Sequence, residues 1–309
     1  MSDRTGRVSL KVMSVSLPAT TALHGVGQDH GAGQDHGAGQ YHGAGQRLGG
    51  RYRLQALLAD GDRASTWQAV DERSGRPVLA WALPPGVPVP VEVTAAVLTS
   101  AVPMDRRFAR ITDADCAGGE PYIVGQWPGG RRLEDLLGAG LPDPALAAAI
   151  AADVTDAVVT AHAAGRAHLA LSPRTVFWTG RQAVITGLGI EAALTTPALL
   201  TLPADEQAAI DARALAGLLY ALLTGCWPGT ARSALPPATD TGGVACPPRD
   251  LHPDLPWALD LVAECALAPQ RDPATLSPAR FATELRTARR ACDRPRHRNR
   301  RAVHWPSGL

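Results

Sequence analysis

From Arg51 onward, apolar positions come in short alternating or β-branched runs separated by turn-forming clusters. YRLQALL, ASTWQAVD and RPVLAWAL are divided by DGDR and ERSG, and FARITDAD and EPYIVGQW follow with AGG between them. This period-two pattern predicts five strands in a small antiparallel lobe, with Val91–Ala101 ambiguous after the third. Past Gly130 the spacing turns helical. Leu146–Ala164 is long and Ala-rich with apolar residues on one face, and further helices are predicted near 206–224, 254–267 and 277–292. Two strand-like pieces, TVFW and AVIT, precede those last three helices. A β-rich lobe (about 51–127) followed by an α-helical lobe (about 128–290) makes an α+β, two-lobed plan.

The flanks follow neither pattern. Residues 1–50 read as a disordered low-complexity tail in which a hexapeptide (HGVGQD, HGAGQD, HGAGQY, HGAGQ) places His24, His30, His36 and His42 six apart. Four imidazoles would bind a divalent metal only weakly without outer partners to orient them, so the expectation is a tract with no metal site. Residues 291–309 read as a basic disordered tail. With the end of the last helix it concentrates Arg289, Arg290, Arg294, Arg296, Arg298, Arg300 and Arg301. This local positive field suits weak contact with anionic lipid or nucleic acid, or simply a solubilising tail.

Composition narrows the classes further. With 309 residues, 45% of them hydrophobic, the chain can bury a core, which excludes wholesale disorder. Thirty basic against 29 acidic residues give +1, so no net field drives it onto a polyanion. Five scattered cysteines, none in a CxxC, argue against a disulfide framework or structural zinc and suit a reducing cytoplasm. The longest apolar run, Ala214–Trp227, has about 14 residues where a bilayer needs about 20, so it predicts a buried helix and no integral membrane segment. Serines and Pro18 interrupt the apolar stretch that a signal peptide would need after Arg4, Arg7 and Lys11.

Six segments in order resemble a bacterial serine/threonine protein kinase domain, covering about Arg51–Arg290. YRLQALLADGDRASTWQAVD is similar to the glycine-rich loop and next strand, and RPVLAWAL to the strand of the ATP-binding lysine. EPYIVGQWPGGRRLEDLL resembles the hinge, AHAAGRAHLALSPRTVFW the catalytic loop, AVITGLGI the metal-binding motif, and DARALAGLLYALLTGCWPG the central helix of the large lobe. The resemblance implies a bilobal kinase-like fold. His168 and Leu188 then pack inside it, and Asp211 holds the catalytic-loop backbone.

The same resemblance shows what is missing. Phosphoryl transfer in this family needs a lysine on the phosphates, a carboxylate base, a second carboxylate on magnesium and an asparagine on the other metal. Trp81 stands at the lysine position, and Lys11 is the chain's single lysine. Ala170 stands at the base, Ser172 and Thr175 replace the next lysine and the asparagine, and Gly187 replaces the magnesium carboxylate. No Asp or Glu occurs from Ala157 to Ile190. The helix-C glutamate falls near Ala96, with Glu92 one turn away. Of the vestigial nucleotide cleft Gly61 remains, Asp62 brings like charge to it, Leu79 and Trp81 add bulk, and Gly125 opens some room.

Two more departures concern the large lobe. Few residues separate the candidate activation-segment end, Ala204-Asp205-Glu206, from Asp211. Residues 229–253 are so rich in Pro and Gly that the helix usually offered there to protein substrates is expected to be lost. The expectation is therefore a catalytically inactive pseudokinase, similar to lysine-poor domains of actinobacterial type, with no ATP, magnesium or other cofactor. It would act as a regulatory or scaffolding module for another protein, with the resemblance implying a link to cell-envelope synthesis. The alternative is a kinase-like protein that keeps ATP as a ligand switch, or residual activity by atypical chemistry.

Overall fold

A computed structural model describes residues 9–11, 42–102, 105–238, 245–268 and 276–292. The chain divides into one unit of residues 1–89 with 112–125 and another of residues 90–111 with 126–309. The Arg-rich segment beyond Cys292 and the first three histidine repeats lie outside the described residues.

In the first unit, β1 (Ser9–Lys11), β2 (Arg47–Leu48), β3 (Tyr52–Ala59), β4 (Ser65–Asp71), β5 (Arg76–Ala82), β6 (Ile111–Asp115) and β7 (Tyr122–Gln126) form one sheet in the order β1-β6-β7-β5-β4-β3-β2. The five predicted strands are β3 to β7. Along β4 the buried positions are Trp67, Ala69 and Asp71, the alternation that a half-buried strand requires. Ala80 and Ala82 of β5 join Leu54, Trp67 and Val124 in the core cluster. Leu79 and Trp81 point to the opposite face by the same alternation, and each is 1% exposed. A polar clamp ties the strands together. Arg51 donates to both carboxylate oxygens of Asp71 at 2.7 and 2.8 Å, and Tyr52 Oη donates to Asp113 at 2.6 Å.

Two boundaries differ from the sequence expectation. Parts of the expected 1–50 tail pair with the sheet: Ser9–Lys11 is β1, and residues 45–48, from the end of the fourth histidine repeat onward, bond to β3. Gly45 N donates to Leu54 O, Leu54 N donates to Gln46 O, Leu48 is fully buried and His42 is 3% exposed. The reason is a backbone edge on β3 that Gly-rich chain can pair with, together with Leu48, whose burial contributes about 2 kcal/mol. The ambiguous stretch 91–101 is helix α1 (Val91–Ser100), and it groups with the second unit, where it packs on α4 (Ile190–Thr195).

That second unit also holds β8 (Arg131–Arg132), α2 (Leu133–Ala139), α3 (Pro144–Ala163), β9 (Val176–Trp178), β10 (Ala183–Ile185), α5 (Ala204–Thr224), α6 (Pro248–Leu251), α7 (Trp257–Leu267) and α8 (Pro278–Cys292). Asp143 starts α3 by accepting from Ala145 N and Leu146 N at 2.9 Å, with Pro144 at the first helical position. Among the described residues α3 alone has the length and apolarity to cross a membrane. Val154, Ala157, Val158 and Ala161 are at most 1% exposed, and α5 and α8 pack against the helix. Between Gly225 and Pro256 the described residues contain one four-residue helix, α6, in place of a substrate ledge.

Candidate functional site

The centre of the second unit is a loop, His168–Thr175, suspended from one buried carboxylate. Asp211 on α5 is fully buried. Its Oδ2 accepts from His168 N at 2.7 Å and from His162 Nε2 at 2.8 Å, and its Oδ1 accepts from Leu169 N at 2.7 Å. These bonds hold Leu169 in the left-handed region, φ 63°, the one non-glycine residue so placed among those described. Such a conformer costs about 1 kcal/mol and persists only where surroundings fix it.

His168 is fully enclosed and its ring has two fixed partners. Thr186 O, an acceptor, lies 3.0 Å from Nε2, and Ala170 N donates to Nδ1 at 3.3 Å. Nε2 therefore carries the proton and Nδ1 the lone pair, which describes a neutral imidazole. Burial pushes its pKa below 6.5, in agreement. Thr175 closes the loop: its Oγ1 donates to Ser172 O and accepts from Ser172 N, both at 3.1 Å. Thr186 then ties loop to β10 by donating N–H and Oγ1–H to Thr175 O at 2.9 and 3.1 Å. Ser172 and Thr175 are buried, and these bonds engage the loop itself.

Gly187-Leu188-Gly189 follows β10. Leu188 is buried in the main core cluster, and its carbonyl accepts from Ser100 Oγ of α1 at 2.7 Å. Gly187 has φ +74°, and a Cβ added there would lie 2.5 Å from Cγ of Glu191. The first turn of α4 causes this, because Glu191 N donates to Gly187 O and swings its side chain back over the glycine. Sequence reading stopped the acid-free span at Ile190 and missed the one carboxylate that the fold returns to this spot. Spacing was the available signal: four residues apart is one helical turn. At the helix-C position Ala96 is buried and Glu92 is half-buried.

Ala204-Asp205-Glu206 lies on one helix with Asp211. It forms the first turn of α5, which runs unbroken into Asp211. The reason is local: two acids at a helix N-terminus are favoured by the helix dipole, and a good helix-forming run follows. Thr195, Thr196 and Thr201 are exposed between Gly187 and that helix.

His168, Ala170, Ser172, Thr175, Gly187, Leu188 and Asp211 thus share the second unit, whereas Gly61, Leu79, Trp81 and Gly125 belong to the first. Gly61 sits in the β3–β4 turn, where a Cβ would come 2.9 Å from Ala64 O. Gly125 and Trp81 are buried. Among the described residues no group of three or more His, Cys, Asp or Glu side chains is placed to share a metal ion. Ala170 and Gly187 carry no side-chain oxygen, Thr175 spends its hydroxyl on the loop, and Glu191 is the carboxylate that lies against Gly187.

Solved structures resemble this arrangement. The kinase domain of Mycobacterium tuberculosis PknI matches with a TM-score of 0.57 at 19% identity, over 80% of this chain and 99% of that one. A double mutant of that domain gives a TM-score of 0.58 at 18% identity, over 80% and 98%. Rad53 residues 1–466, in complex with AMP-PNP, gives 0.55 at 16% identity, over 76% of this chain and 64% of that one. No protein-family model matches the chain. The fold is protein-kinase-like: a β-rich unit and a helical unit, as the sequence resemblance implied.

Proposed function

We propose that this chain is a pseudokinase: a kinase-fold protein without phosphoryl-transfer activity, serving as an interaction module for another protein. The observation that carries the reading is a contrast between scaffold and chemistry around the His168 loop and the Gly187 turn. Asp211, His168 and Leu188 keep the backbone scaffold, while Ala170 and Gly187 stand where the chemistry needs carboxylates. Scaffold retained without acid or base suits a surface read by shape. Leu79 and Trp81, each 1% exposed, and Asp62 in the β3–β4 turn argue against a bound nucleotide. A cytoplasmic setting and a role in envelope synthesis belong to the same proposal.

Glu191 supports a second reading, in which a nucleotide serves as a ligand switch and this carboxylate stands in at Gly187. Thermal unfolding of the full chain separates the two. With millimolar ATP and magnesium, or ATP and chelator, the expected melting temperature equals that of the protein alone. A ligand present far above its dissociation constant would raise it by several degrees, and that result would favour the switch.

A further inference from the structure

A cavity of about 1100 Å³ opens in the second unit, away from the His168 loop, between the segment before β6, the middle of α3 and the β9–β10 turn. Asp105, Arg106, Arg107, Ala149, Asp153, Trp178, Thr179, Arg181 and Gln182 line it. Three arginines face two aspartates, and both acids are already committed to Arg107. Asp105 takes Arg107 Nε at 3.1 Å and Nη2 at 2.7 Å. Asp153 Oδ1 takes Nη1 at 3.2 Å, and its Oδ2 takes Ala183 N at 2.7 Å. Arg107 is therefore a structural cross-link between its loop and α3.

Arg106 and Arg181 remain. Both are exposed, with no hydrogen bond and no ion pair within 4 Å to either guanidinium among the described residues, although the charge of Arg106 acts on nearby Asp105. Three arginines against two carboxylates leave the lining with one net positive charge, which suits an anion, and planar guanidinium matches phosphate bidentately. Trp178 is half-exposed and supplies an aromatic wall, with Ala149 as an apolar one. Thr179 and Gln182 bond to each other through Thr179 Oγ1 and the Gln182 backbone, which fixes the turn that carries Arg181.

We infer that this cavity binds a phosphomonoester attached to an apolar or aromatic group, with Arg106 and Arg181 on the phosphate and Trp178 against the attached group. This inference stands independently of the pseudokinase reading, because no lining residue belongs to the His168 loop or the Gly187 turn.

Phosphorus NMR titration of the full chain tests it, with phenyl phosphate, inorganic phosphate and a phosphotyrosine peptide as probes and phenol followed by proton NMR. Phenyl phosphate is expected to bind more tightly than inorganic phosphate, and phenol not at all. Arg106→Ala with Arg181→Ala should weaken phenyl phosphate by at least about tenfold, while Arg63→Ala in the β3–β4 turn leaves it unchanged. Arg106→Lys with Arg181→Lys, which keeps charge and loses the fork, should fall between and guards against a folding artefact. A peptide that binds more tightly than phenyl phosphate assigns the ligand to a modified polypeptide, and equal binding assigns it to a small phosphoester. Absence of phenyl phosphate binding at millimolar concentration, or equal affinity in the double alanine variant, overturns the proposal.

Discussion

Asp211 concentrates three hydrogen bonds on one buried carboxylate, two of them from backbone N–H groups of the same loop. Its loss strands those donors without water. Asp211→Ala should therefore destabilise the protein by about 3–5 kcal/mol, and Asp211→Asn by less, measured by urea unfolding. Gly187 tests the opposite direction. Restoring an acid with Gly187→Asp drives a Cβ into Glu191 at φ +74°, so the variant should melt lower than the parent. Combined with Ala170→Asp and Trp81→Lys it should still not hydrolyse ATP, which a phosphate-release assay reads directly. Turnover of ATP by the triple variant would overturn that expectation. Neither outcome is visible in the residue at 187 alone, because the obstacle is a side chain four positions on.

Elements show the same dependence on neighbours. The five strands and the long helices were legible because each carries its own periodicity: Trp67, Ala69 and Asp71 alternate along β4, and Ala147, Ile150, Ala151 and Val154 repeat along α3. The edge strand β2 carries no such pattern. Two residues are too short for one, and the preceding repeat HGAGQ is the same as in the two copies before it. The last copy meets the edge of β3 through Gly45 and Gln46. A chain beginning at Arg51 should accordingly be less stable than one beginning at His42 by about 2–3 kcal/mol, from the loss of Leu48 and the β2–β3 pairing. Comparing their denaturation midpoints decides it, and equal midpoints would return residues 42–50 to the tail. Helix α1 follows the same logic, since its buried residues Val93, Ala96 and Val97 are too few to announce a period.

At the scale of the whole molecule the pH response sums such buried sites. His168 is held neutral by burial, and burial likewise lowers His42, whereas both would protonate below about 6.5 in an unfolded chain. The unfolded state then binds more protons, so stability is full above that pH and declines as pH falls beneath it. A second decline belongs to Asp71, whose carboxyl Arg51 holds far below its ordinary 3.8; that contribution persists above the ordinary value and disappears with further acid. Urea midpoints followed from about pH 8 to about pH 3 should show both stages. His168→Gln should shrink the first and leave the second. A flat profile across the first stage would mean that His168 titrates normally.

Sequence alone determined the order of strands β3 to β7 and of the long helices in the kinase-like plan, and the identities at 81, 170, 172, 175 and 187. Both kinds of information are local: periodicity lies within an element, and a missing carboxylate is missing whatever the chain does next. Tertiary structure decided which acid returns to Gly187, that residues 45–48 pair with β3, which unit takes α1, and that residues 204–206 open α5. It also decided that Arg107 cross-links to Asp153 of α3 while its neighbour Arg106 makes no such bond among the described residues. Burial, edge pairing and charge neutralisation are set by distant segments meeting in space, and no window along the chain contains them.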